Sequence, residues 1–152
     1  MMTGTGTQTQ ALETIEVRKS EEIAAPIEMV WKALLEQMGP AFETDTGSPM
    51  PMTLETWPGG RWFRDLGKNT GHLWGHVQVI KAPALLEITG PMFMSYPAVS
   101  HVQYRLTADG GRTHLELVHR AFGQIIPAHR DGVVKGWMYI LGKVRERAER
   151  HG

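Results

Sequence analysis

Apolar and polar residues alternate in part, with a period near two, in T-I-E-V-R-K-S-E-E-I, Thr14 to Ile23, where Ile15, Val17 and Ile23 are the apolar positions; this predicts a strand. Ala24-Ala25-Pro26 stops it, and proline suits the first turn of a helix because its missing N–H leaves no bond unmade there. The period then lengthens. Ile27, Val30, Trp31, Leu34, Leu35 and Met38 trace one stripe of an amphipathic helix, which Gly39-Pro40 ends. Ala41 to Asp45 reads as a short further turn and Thr46 to Pro51 as loop. Short strands follow over Met52–Trp57, Arg61–Leu66, His72–Lys81, Leu85–Thr89, His101–Ala108 and Arg112–Ala121. Turn residues separate them, including Pro58-Gly59-Gly60, Ala82-Pro83-Ala84, a longer Gly90–Ser100 segment and Asp109-Gly110-Gly111. Past Pro127 the helical period returns: Val133, Val134, Trp137, Ile140, Leu141, Val144 and Ala148 share one face, with Lys, Arg and Glu opposite.

Strand, helix, about six antiparallel strands and a long last helix make an α+β chain. A sheet with one oily face must be covered, and the last helix is the only element long enough to cover it. We expect one domain over 14–150. The preceding M-M-T-G-T-G-T-Q-T-Q, with residues up to 13, reads as a disordered tail, because Thr, Gly and Gln bury too little to offset their ordering entropy.

The hairpins assign faces. W-P-G-G-R-W-F-R-D, Trp57 to Asp65, is no phosphate cradle, since no helix and no Lys-Ser/Thr pair follows the glycines. It reads as a tight turn in which glycine permits positive φ. A two-residue turn there puts Glu55 and Arg64 on one face with Trp57 and Trp62, and Leu54 and Phe63 on the other. In the last hairpin, a turn at Asp109–Arg112 puts Val102, Tyr104, Leu106, Leu115, Leu117 and His119 on the face that meets the helix. The opposite face carries Arg105 and Glu116 as a pair.

Composition narrows the function. Sixteen basic residues balance sixteen acidic ones, which argues against nucleic acid, whose binders carry a basic excess. No apolar run approaches the ~20 residues of a membrane span, and the N-terminus lacks the cationic head and apolar run of a secretory signal. With no cysteine there is neither a disulfide nor a thiolate site. These features predict a cytoplasmic protein. Seven histidines raise the question of metal, but on a strand His72 and His76 stand roughly 13 Å apart, both outward with Trp74, and no metal site or cofactor is expected. No serine sits in a nucleophile elbow, and no catalytic residue is assigned. His119 has two readings: a core histidine tied to a backbone or hydroxyl partner, or a polar anchor inside a ligand cavity. Glu55, Arg64 and Asp65 are solvated strand residues or polar groups at a cavity mouth. The loop P-M-F-M-S-Y-P, Pro91 to Pro97, lines, gates or plugs any gap between sheet and helix.

The segments I-A-A-P-I-E-M-V-W-K-A-L, W-P-G-G-R-W-F-R, G-H-V-Q-V-I-K-A-P-A-L-L-E-I, L-E-L-V-H-R-A-F-G and G-W-M-Y-I-L, in that order, resemble the START-like, birch-pollen-allergen-like superfamily (SRPBCC). Within it they are most similar to the branch named after the activator of the heat-shock chaperone ATPase. The resemblance runs from Thr14 to Ala148. Gly136-Trp137 matches the family's Gly-Trp, and His119 its histidine after the penultimate L-x-L; Trp57 stands where the family usually has arginine. The resemblance implies a helix-grip fold, a curved antiparallel sheet wrapped around the last helix and closed by small N-terminal helices, with a cavity between sheet and helix that in relatives takes hydrophobic or amphipathic small molecules. The ligand-binding candidates are Leu54, Phe63, Tyr104, Leu117 and His119 from the strands, Phe93 from the loop, and Trp137 and Leu141 from the helix. Two rivals stand beside a binding protein: a cyclase- or hydrolase-type enzyme using His119 as acid/base, and a co-chaperone module with an exposed patch around Trp74. A homodimer through a strand edge or the outer face stays open.

Overall fold

A computed structural model describes residues 4, 6, 7, 9 and 11–151. The expected tail over residues 1–13 falls largely outside the described residues; Glu13 already belongs to the first strand, β1 (Glu13–Ile23). Helix α1 (Ile27–Met38) follows, its first turn closed by bonds from Met29 N and Val30 N to Pro26 O. The remaining strands are β2 (Thr53–Leu54), β3 (Arg61–Gly67), β4 (Thr70–Lys81), β5 (Leu85–Gly90), β6 (Ala98–Asp109) and β7 (Arg112–Gly123), and α2 (Pro127–His151) ends the chain. Together the strands form one curved antiparallel sheet in the order β1-β7-β6-β5-β4-β3-β2, so β1 and β2, neighbours in sequence, lie at opposite edges. The α1 segment carries the chain between those edges, and α2 lies on the same oily face. The patterning predicts this α+β order and the resemblance its helix-grip form; where the resemblance implies small N-terminal helices, the described residues form one, α1.

The β6–β7 register places Val102 opposite His119, Tyr104 opposite Leu117 and Leu106 opposite Leu115, all buried beneath the helices. On the outer face Arg105 stands opposite Glu116 as expected, but the carboxylate pairs with Arg18 at 3.6 Å instead.

Two details depart from the patterning. The first is the turn after β2. Glu55 N bonds Arg61 O, so Glu55 faces Arg61 and the loop between them holds five residues rather than two. The shift in register is odd, which inverts the faces. Leu54 pairs with Trp62, which is wholly buried and donates from Nε1 to Met38 O at 2.7 Å. Phe63 turns to the outer face, where the Arg61 guanidinium lies over its ring at 4.5 Å. Glu55 grips Arg61 through three bonds of 2.8 Å, two from the guanidinium and one from the backbone N–H. Those bonds, the side-chain pair first, hold its carboxyl at about 2. Gly59 takes φ +82, the positive value expected of a turn glycine.

The second departure is Trp74. Trp62 pairs with Gly75 but Phe63 with Leu73, so Trp74 is the extra residue of a bulge. Period-two reading puts Trp74 outside with His72 and His76; the bulge turns it inward, where it is 8% exposed, while both histidines stay in solvent. The exposed Trp74 patch expected of an interaction module is therefore absent. Gly75 and Gly90 make this kink possible: a Cβ on Gly90 would lie 2.4 Å from the Gly75 Cα. No side chain fits between backbones that close.

Candidate functional site

A cavity of about 390 Å³ lies between the first half of α2 and the sheet. Its origin is visible in the helix sequence. Ala128, Gly132 and Gly136 recur every four residues, so they fall on one stripe of α2, and all three line the space. A Cβ added at Gly132 or Gly136 would meet nothing within 4 Å. Ala128 and Gly132 are exposed and Gly136 is half-buried, so the stripe runs along the open side of the space beside the buried Val133, Trp137 and Ile140 and projects almost no side chain into it. The floor and walls are aromatic and aliphatic: Phe42, Met50, Trp74, Met92, Trp137 and Ile140.

His119 forms part of the inner wall and is 1% exposed. Trp137 Nε1, which can only donate, gives its hydrogen to His119 Nδ1 at 2.8 Å. The ring proton must then sit on Nε2, which donates to the Ser100 hydroxyl at 2.8 Å. Burial lowers the imidazole pKa to about 4, so the ring is neutral at physiological pH. Ser100 and His119 thus lie within hydrogen-bond reach but with the wrong tautomer for a nucleophile and its base, because Nε2 carries a proton and the Nδ1 lone pair is taken. The arrangement is a core histidine with both ring nitrogens satisfied, by a hydroxyl and an indole, whose ring also borders the cavity.

Trp74 contrasts with its neighbours. Its ring meets Trp62 at 5.1 Å and Phe42 at 5.5 Å between centroids, both edge to face. Its buried Nε1 has no hydrogen-bond partner among the described residues, and an unpaired buried donor costs about 1–3 kcal/mol.

The mouth is polar. Asp45 and Phe93 are exposed there, beside Glu43 and Thr44. Glu43 Oε1 accepts from Tyr139 Oη at 3.2 Å and stands 3.8 Å from the Lys143 ammonium. Burial and the adjoining carboxylate raise the Tyr139 pKa. The Pro91–Pro97 loop crosses one side. Met92 and Met94 are buried, Phe93 lies at the rim, and Tyr96 Oη bonds His129 Nδ1 of α2 at 2.9 Å while the two rings stack. The loop borders the space and leaves it open, where the sequence left lining, gating and plugging as alternatives.

Of the residues singled out from sequence, Phe93, His119 and Trp137 line the cavity. Tyr104, Leu117 and Leu141 point inward but are packed in the solid core, and the Tyr104 hydroxyl reaches Met38 Sδ at 3.3 Å. Leu54 is half-buried against that core. Phe63 lies outside, in an open groove on the β3–β4 hairpin with Arg64 and Asp65, so these are not mouth residues. Sequence reasoning missed Phe42 to Asp45, read only as turn, and His129, which it did not single out. Ala128, Gly132 and Gly136 had a legible signal in their spacing of four. Among the described residues no three His, Asp or Glu side chains gather to hold a metal ion. Among the described residues no helix is long and apolar enough to cross a membrane.

The fold has many solved counterparts. An uncharacterised protein from Rhizobium leguminosarum superposes with a TM-score of 0.71 at 17% identity, over 92% of this chain and 97% of that one. The Zhui aromatase/cyclase from a Streptomyces species gives 0.63 at 20% identity, over 91% and 96%. CalU16 from Micromonospora echinospora gives 0.60 at 20%, over 93% and 96%. At such identities the likeness is one of fold. No curated protein matches the chain by sequence. Residues 24–149, nearly the whole helix-grip unit, match the family described as Activator of Hsp90 ATPase homolog 1-like protein, and the chain belongs to that family, within the SRPBCC superfamily its residues resemble.

Proposed function

We propose that the protein binds a small, mostly apolar molecule in the cavity under the first half of α2. The observation that carries this reading is the Ala128-Gly132-Gly136 stripe, which leaves about 390 Å³ unfilled against aromatic walls. That volume is within the ~300–1,000 Å³ range of small-molecule sites. The unpartnered Trp74 N–H adds a donor that an acceptor oxygen on the bound molecule would satisfy. Gly136→Leu tests it directly, since open space surrounds that position and the fold has no reason to suffer. Wild-type protein should take up an environment-sensitive apolar dye, displaceable by small aromatic molecules, and the variant should lose that uptake while its circular dichroism is unchanged. Equal uptake by both proteins would refute the reading.

A cyclase-type enzyme in the same cavity is the second reading, supported by the shared fold of the Streptomyces aromatase/cyclase. On this reading proton transfer would fall to groups at the mouth, Glu43, Asp45 or His129, because both ring nitrogens of His119 are already engaged. Activity surviving in His119→Gln and lost in Asp45→Asn would fit this reading; the reverse would overturn it.

A further inference from the structure

Resting on that binding site, we infer that its ligand is an organic cation: an aromatic or alicyclic body carrying a protonated amine at the mouth.

The charges that face the cavity are of one sign. Glu43 and Asp45 line it, and no lysine or arginine does. Asp45 and the Oε2 atom of Glu43 accept no protein hydrogen bond among the described residues. Lys143 approaches Glu43 from outside the lining but is held more closely by Glu146, at 3.5 Å against 3.8 Å. The start of α2 works in the opposite sense, with roughly half a positive charge. It is a poor anion site, however: Pro127 has no N–H, and His129 N is already bonded to Ile126 O at 2.9 Å. Arg130, next along, pairs with Glu13. Two carboxylates outweigh what is left.

The walls suit the same ligand. The rings of Phe42, Trp74, Phe93 and Trp137 line the space, and aromatic faces attract cations and repel carboxylates. The polar atoms of the inner wall are either committed, as in His119, or a lone donor, the Trp74 N–H. An oxygen on the body of the ligand would serve that donor, while the ammonium stays at the rim between the two acids.

Three isosteric probes separate this inference from the cavity itself: naphthylmethylamine, naphthylmethanol and naphthoate, titrated calorimetrically into the intact protein at neutral pH and low salt. The amine should bind about tenfold more tightly than the alcohol, and the carboxylate more weakly than either. In the double variant Glu43→Gln, Asp45→Asn the ratio of amine to alcohol affinity should fall toward one. Raising the salt should narrow it as well, since the mouth is open to solvent. If the three probes bind alike, or the amine keeps its advantage in the double variant, the inference fails and the cavity reading survives, provided Gly136→Leu still abolishes binding. If no probe binds, both fail together.

Discussion

Leu141, Val144 and Ala148 in the second half of α2 are at most 2% exposed. That half is also fastened at its rim, by Glu149 to Ala24 N at 2.9 Å and by Arg145 to Glu21 at 3.4 Å. The first half of the same helix presents Ala128, Gly132 and Gly136 along its partly exposed side, where they border open space instead of packing. Its buried side chains, Val133, Trp137 and Ile140, stand at the edges of that space. One helix therefore has two jobs, divided along its length by side-chain volume: the second half anchors and the first half forms a roof. The hydrophobic effect makes the anchor. The roof is possible because the anchor is sufficient without it.

Substitutions on the two halves should behave oppositely. Leu141→Ala removes packed volume from the anchor and should cost about 2–5 kcal/mol in chemical denaturation; a cost below ~1 kcal/mol would mean that the anchor is not solid. Acid comes next. The pKa of His119 is about 4 in the fold against 6.5 in the unfolded chain. Its contribution is therefore complete above pH 6.5 and is lost as pH falls toward 4, because only the unfolded chain takes up the proton in that window. The loss amounts to up to about 3 kcal/mol, read as the difference in the pH–stability curves of wild type and His119→Gln. Superimposable curves would show that the ring is protonated freely in the fold. Gly136→Ala, on the roof, should instead stabilise by about 1 kcal/mol, since alanine favours helix and its methyl meets no atom; destabilisation would mean that the space is not open. Smallest is Tyr96→Phe, which removes the bond pinning the loop to α2 and should cost about 0.5–1 kcal/mol, with faster hydrogen exchange confined to the 91–97 loop.

The anchor was more legible in sequence than the roof. A buried stripe announces itself, and Val144 and Ala148 were on it from the periodicity alone. The β6–β7 register was equally readable, because the Gly110-Gly111 turn holds two residues and Val102, Tyr104 and Leu106 alternate without interruption. Trp62, Phe63 and Trp74 were misassigned for a shared reason: period-two reasoning assumes an unbroken ladder, and one extra residue in a turn or a bulge exchanges inside for outside. The cavity was legible as a gap between sheet and helix and through the family resemblance, but its outline was not. A hole has no residues of its own. Glu43 and Asp45 reach its mouth from a segment with no period to read, and glycines in a helix are more readily taken as a weakness than as a shape.

The Ala128-Gly132-Gly136 stripe has a consequence for variation. Side chains of different size and polarity at these three sites would redraw the outline of the cavity, while the sheet, the β-bulge at Trp74 and the second half of α2 keep their packing. The shape and polarity of that space can therefore drift without a penalty in folding, and under the proposed function selectivity would drift with them.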